Sequence, residues 1–376
     1  MFGTVLTHEV KRIARSVDAV YGDSDQQRYV LGSCTPSSKK LNQLQLLDAN
    51  LSVLQTYAHA NPVQHLAMCP LPKMAHHVLT TFVSERNEPS FAVWDMDNVE
   101  SPPSTSPGAV SQLGLLAHVT TESAIVRAIW NPTEDGNSAT IASLNATSIS
   151  TWTLADGGSG KEVAKLGLGE GHNQLNAIAW DPHHRQQVSA TVDESIVTWD
   201  VRSGKYVAFH RSVHVILGRI AHKVHQAHFQ CTRDIDYNPN KPYYMASGGD
   251  DGLVKFWDIR KPKAALLTLP SHSHWVWCVK YNRFHDQLVL SSSSDSSVNL
   301  WRVSSISSAP LLDESTDAGG IDIGDAKIST HDGDHEDSVY AVAWGSQDSW
   351  VYVSLSYDGR VVLNTVPSTE KYRILL

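Results

Sequence analysis

The chain lacks the marks of several functional classes. It has no basic excess: 30 Lys and Arg stand against 39 Asp and Glu, for a formal net charge of −9. Binding to phosphate backbones needs a basic surface, so nucleic acid is not expected as a partner. The short run Lys11-Arg12-Ile13-Ala14-Arg15 is too small to reverse this. No apolar stretch approaches the roughly 18 residues of a membrane span, so direct membrane insertion is not expected. The opening "MFGTVLTHEVKR" lacks the apolar centre of a signal peptide. Cysteine is scarce: Cys34, Cys69, Cys231 and Cys278 lie far apart with no C-x-x-C pair. That usage fits buried thiols in a reduced, cytoplasmic protein.

What is present is length and repetition. The 376 residues exceed the roughly 250 to 300 at which a single core stops growing. Several domains or a repeat architecture must follow. Aligning on tryptophan exposes the repeat. Asp193 precedes Trp199 by six positions, Asp251 precedes Trp257, Asp295 precedes Trp301, and Asp358 precedes Asn364 in the same register. Each is a polar turn followed by alternating apolar residues, which predicts a hairpin turn and a strand. Weaker copies end at Trp94 and Trp152. Upstream sits a histidine: His228, His272 and His335 each precede a short apolar strand, with His59, His118 and His172 in looser register.

The unit is therefore His, strand, turn, strand, Asp-turn, strand ending near Trp. It recurs about every 40 to 60 residues, as in WD40 propellers. The expected fold is all-β, a seven-bladed WD40 β-propeller, with four short strands per blade. Blades are expected near 10–57, 58–118, 119–171, 172–227, 228–271, 272–334 and 335–376. The first blade lacks the Trp-Asp mark. Either "KYRILL" or "FGTVLTH" can supply the last outer strand and close the ring. In such a repeat the Asp bonds the His, which links through Ser or Thr toward Trp. The best repeat assigns these roles to Asp251, His228, Ser247 and Trp257, while Asp250 reads as a solvated turn residue. Paired carboxylate chemistry at Asp250-Asp251 is not expected, because the same Asp recurs in other repeats.

Two segments break the regularity. Residues 97–112 are Pro/Ser-rich and read as a flexible loop. Residues 304–337 hold nine acidic residues and a single lysine and read as an acidic loop. No catalytic constellation stands out. "ADGGSGKE" misses the phosphate-loop pattern at Ala155 and Glu162. His222, His225 and His228, spaced by three with His214 nearby, have no Cys pair to complete a zinc site. No cofactor, metal or enzymatic activity is expected.

The stretches "DIDYNPNKPYYMASGGDDGLVKFWDIR", "HSHWVWCVKYNRFHDQLVLSSSSDSSVNLW", "HEDSVYAVAW", "SLSYDGRVVLNTVP" and "KYRILL" carry a more specific signal. With them the chain resembles the EARP-interacting protein family, over nearly its whole length. The resemblance implies a non-catalytic adaptor for the EARP and GARP vesicle-tethering complexes. It implies a cytoplasmic protein held peripherally at endosomes and the trans-Golgi network, in endocytic recycling and retrograde transport. The family supplies no residue-level binding motif. Propeller partners usually meet one rim, so Trp275, with Tyr340 and Asp337 in the last repeat, are the candidate contacts. The segment 203–227 is longer than the resemblance predicts. It reads as an atypical insertion, either a bulge with a short amphipathic helix carrying Ile216 and Ile220, or a translated intron.

A second class remains open. "WDVR" and "WDIR" match the Trp-Asp-x-Arg pattern of WD40 substrate receptors in cullin-RING ubiquitin ligases. On that reading Arg202 and Arg260 contact a ligase adaptor.

Overall fold

The computed structural model describes residues 6–10, 12–21, 26–36, 41–99, 110–133, 139–154, 160–167, 174–206, 216–309 and 324–375. Their 28 strands fall into seven four-stranded antiparallel units, consistent with the expected blade count. The inner strands are Ala14–Ala19, His65–Met68, Ile125–Trp130, Leu175–Trp180, Thr232–Tyr237, Val276–Tyr281 and Val339–Trp344. Each lies beside the inner strands of the blades before and after it, and the last meets the first. The result is a closed ring around a channel.

The apolar pattern explains the ring. Strands such as Leu288–Ser293 and Tyr29–Ser33 are buried at every position, so both faces of a sheet need cover. The buried side chains form seven separate clusters, one between each pair of adjacent blades. Trp199, Phe91 and Phe256 are fully enclosed in them. Inner strands would leave backbone N–H groups facing the channel, and neighbouring blades satisfy some of these. Asp18 accepts from the Met68 N–H, Asp234 from Val279, and Asp236 from Tyr281, at 2.8–3.0 Å.

The N-terminal strand Leu6–Glu9 closes the ring, pairing antiparallel with Arg360–Leu363. "KYRILL" does not. Its residues 371–375 lie in a helix, Ser368–Leu375, with Glu370 in the first turn and Arg373 in the last, the charge order that the helix dipole favours; Leu376 lies outside the described residues. Arg302 anchors this helix: its Nη1 donates to Glu370 Oε2 at 2.6 Å, with both side chains buried.

Three expectations need correction. The 203–227 segment forms no helix among its described residues; it contributes the end of strand Ser195–Tyr206 and a partner strand, Ile216–Val224. Residues 207–215 lie outside the described residues. The 304–337 stretch is not loop throughout, because Ala326–His331 is the outer strand of the sixth blade; residues 310–323 lie outside the described residues. In 97–112, the strands Pro89–Val99 and Val110–Thr120 reach in from both ends, and residues 100–109 lie outside the described residues.

Glu370→Ala tests the helix anchor. It removes the carboxylate that balances a buried guanidinium, a loss that typically costs about 3–5 kcal/mol. Urea unfolding is expected to show that loss; an unchanged midpoint contradicts it.

Candidate functional site

The Asp-turn is a structural relay. In the fifth blade His228 Nδ1 lies 2.8 Å from Asp251 Oδ1 and its Nε2 2.8 Å from Ser247 Oγ. Trp257 Nε1 donates to the same hydroxyl at 2.9 Å. Gly252 at φ +73° lets the turn close. Burial pushes the His228 pKa down, against the pull of Asp251. Burial also opposes ionisation of Asp251, but its bonds from His228, Phe229 N–H and Leu253 N–H outweigh that and hold its pKa at about 2. The sixth blade repeats the relay: His272 meets Asp295 at 3.2 Å and Ser291 at 2.9 Å, and Trp301 donates to Ser291 at 3.0 Å.

Other blades vary it. Asp358 reaches His335 only through Ser356, at 2.5 and 2.8 Å. His59 and Trp94 share Thr80. In the fourth blade the relay is not assembled among the described residues: Asp193 accepts from Gln174 N–H, Ser189 bonds Thr198 and Tyr237, and Trp199 Nε1 has no partner. His172 lies outside the described residues.

The rim beside these turns carries the candidate site. A β-bulge interrupts the inner strand near its start in six blades. Such bulges re-aim a side chain. Here the bulged positions include Arg15, Val126, Arg233, Trp277 and Tyr340, all lining the channel mouth. Four of them join an arc with Trp275 and Tyr357. The Arg233 guanidinium lies 4.8 Å from the Trp275 ring and 5.0 Å from Trp277. Trp277 lies 4.9 Å from Tyr340. Arg15 sits over both Tyr340 and Tyr357, at 5.2 and 5.3 Å. Asp250 is no solvated turn residue: it clamps Arg233 through two bonds of 2.5 and 2.9 Å. Trp275 is 38% exposed and Phe229, beside His228, is 88% exposed.

From the mouth inward the channel holds an open cavity of about 700 Å³. An ion pair crosses it. Arg127 of the third blade meets buried Asp234 of the fifth at 2.5 Å. Lys280 lies 3.9 Å from Asp234 and 4.0 Å from Asp236. Burial pushes Asp234 toward its neutral form, but Arg127 and Lys280 prevail and its pKa is lowered.

Of the expected partner contacts, Trp275 and Tyr340 join through Trp277. Asp337 stands apart, accepting only a bond from Ser338 N–H. The sequence reading missed Arg15, Arg233, Trp277 and Tyr357. For the first three the signal was the residue following the first buried position of an inner strand; Tyr357 instead lies just past the end of strand Val351–Ser356. Arg202 and Arg260 lie at the far end of the third strands, toward the opposite rim. Each folds back onto the Asp two residues earlier, at 2.7 Å in both cases. His222 sits on a strand and His228 in the relay, so the histidine series shares no helix face; His214 lies outside the described residues.

Comparison with known proteins adds a family. The EIPR1 beta-propeller family matches residues 4–301, and a WD domain, G-beta repeat matches 327–363. The chain is 37% identical over 395 residues to EARP and GARP complex-interacting protein 1 of Homo sapiens, covering 96% of each. It is 36% identical to the Rattus norvegicus protein of that name and to an EARP-interacting protein homolog of Gekko japonicus, again over 96% of each chain.

Ser247→Ala removes the shared acceptor of His228 and Trp257. Orphaning two buried groups is expected to cost roughly 3 kcal/mol in urea unfolding; a loss under about 0.5 kcal/mol contradicts the relay. Stability also depends on pH. Burial pushes His59 and His335 from 6.5 down to about 4. Between those values the unfolded chain takes up protons that the folded chain refuses, so stability falls as pH drops through that window. The Asp251 contribution is lost lower, as pH falls from about 4 toward 2. The urea midpoint is expected to be lower at pH 5 than at pH 7, and an equal midpoint contradicts this.

Proposed function

The chain belongs to the EIPR1 beta-propeller family, and from that premise we propose that it is a non-catalytic scaffold for EARP- and GARP-type tethering complexes. It acts in endocytic recycling and retrograde transport. It resides in the cytoplasm, peripherally associated with endosomes and the trans-Golgi network. No described helix is long and apolar enough to cross a membrane, which accords with recruitment through protein partners.

The observation that carries the reading is the rim arc of Trp275, Trp277, Tyr340, Tyr357, Arg15 and Arg233, in which Trp275 and Arg15 are exposed and the other four half-buried. Trp, Tyr and Arg are the residues that dominate interface energetics. The aromatic rings and guanidiniums already hold one another in place, so docking immobilises little that is free beforehand. The tethering partner therefore docks on the rim beside the Asp-turns.

The ubiquitin-ligase reading uses the other rim. There Arg202 and Arg260 are each engaged by a motif carboxylate, yet Arg260 keeps half its side chain exposed. Adaptor binding through that face has to compete with these internal bidentate bonds.

Affinity purification of the tagged protein with mass spectrometry separates the two. The expected result is recovery of tethering-complex subunits by the native chain and by an Arg202→Ala/Arg260→Ala variant, with at least a tenfold loss for Arg15→Ala/Trp275→Ala. Recovery of a cullin-RING adaptor without tethers, abolished by the Arg202/Arg260 changes, overturns the proposal.

A further inference from the structure

The third strands of the second, fourth and fifth blades carry a Trp-Asp pair, and the fate of that Asp differs between them. In the fourth blade Asp200 is held by Arg202 through bonds of 3.1 and 2.7 Å. In the fifth, Asp258 is held by Arg260 at 2.9 and 2.7 Å. The residue two positions on supplies a cation in both. The second blade breaks this rule. Its pair is Trp94-Asp95, and two positions on stands Asp97. Where its counterparts carry a built-in guanidinium, this blade carries a second carboxylate.

Nitrogen donors are set against that carboxylate instead. His77 opens the neighbouring strand and pairs in register with Asp95, and His76 precedes it. One donor atom from each of His76, His77 and Asp95 lies within 4.8 Å of the others. This is the one such group of His, Cys, Asp or Glu found among the described residues. His76 Nε2 is 3.7 Å from Asp95 Oδ1, and His76 Nδ1 is 3.7 Å from Asp97 Oδ2. Both distances are too long for hydrogen bonds. The first, between two candidate ligand atoms, is near the roughly 3.3 Å that separates two ligands of one tetrahedral zinc ion with bonds of about 2.0–2.1 Å. His77 Nδ1 is buried and has no hydrogen-bond partner. Asp95 is fixed from behind, its Oδ1 accepting from the N–H groups of Asp97 and Asn98 at 2.9 and 3.2 Å. Asp97 stands where an outer carboxylate orients a ligating imidazole.

We propose that His76, His77 and Asp95 form a binding site for a borderline divalent transition ion of the zinc type, with water completing the tetrahedron and Asp97 supporting His76. Two imidazoles and one carboxylate suit such an ion and not calcium or magnesium, which take all-oxygen shells. The ion replaces the arginine that the fourth and fifth blades carry. It bridges the second and third strands of the blade, away from the Arg–aromatic arc. The proposal does not depend on the tethering reading.

The test titrates zinc chloride into the full-length, chelator-treated protein by calorimetry, with cobalt substitution read by visible absorption. The expected result is one equivalent bound per chain, with the absorption bands of four-coordinate cobalt. His76→Ala, a substitution at a half-exposed position, is expected to abolish binding. Asp97→Arg rebuilds the clamp of the other blades and is expected to abolish binding while the melting temperature stays within a few degrees. Absence of saturable binding by the native chain overturns the proposal. So does binding that survives both substitutions.

Discussion

Each sheet in this protein has two apolar faces, and its neighbours alone can cover them. That requirement organises the rest of the molecule. It places the hydrophobic core in seven layers between blades, where a smaller domain would have one central core. It also forbids an open ring, since a first or last blade without a neighbour would expose a full apolar face. Closure by Leu6–Glu9 on the last sheet follows from the same need. The ring is thus locked by contacts between residues far apart in sequence, from Leu6 with Leu363 to Glu9 with Arg360.

Closure leaves the inner strands with unpaired backbone along the channel, and the side chains there are committed to answering it. Asp18, Asp234 and Asp236 serve the next blade's N–H groups. Arg127 and Lys280 then balance the buried charge of Asp234. These ion pairs cross the channel beside its cavity. At the rim, bulges lift one residue out of the ladder in six of the seven inner strands. In four neighbouring blades that residue is Arg, Arg, Trp or Tyr, and the four interlock. Fold and candidate site thus meet in one local irregularity.

The global fold was legible in the sequence because the relay residues obey a strict register. His228, Ser247, Asp251 and Trp257 are needed together, and their spacing shows it. The rim was less legible. A bulge is a backbone event, so Arg15, Arg233 and Trp277 read as ordinary strand residues, and Tyr340 was named only by analogy with Trp275. Asp250 was misread for a related reason: its partner, Arg233, lies on another strand and carries no repeat signature. The fate of residues 371–375 turned on tertiary contacts that strand propensity does not encode: Glu370 with Arg302, Ile374 against a buried cluster, and Lys371 over Trp350. In the inserted segment the spacing of Ile216 and Ile220 suggested a helix, but pairing with Ser195–Tyr206 supplied hydrogen bonds to an otherwise open edge.

The account's central claim is that partners engage the bulged Arg–aromatic rim of a pre-formed propeller. Hydrogen exchange of the protein alone and in its purified partner complex tests this most directly. The account predicts new protection confined to the segments around Arg15, Arg233, Trp275–Trp277 and Tyr340, with the far rim around Arg202 and Arg260 unchanged. Protection at the far rim, with the aromatic arc still exchanging freely, contradicts it.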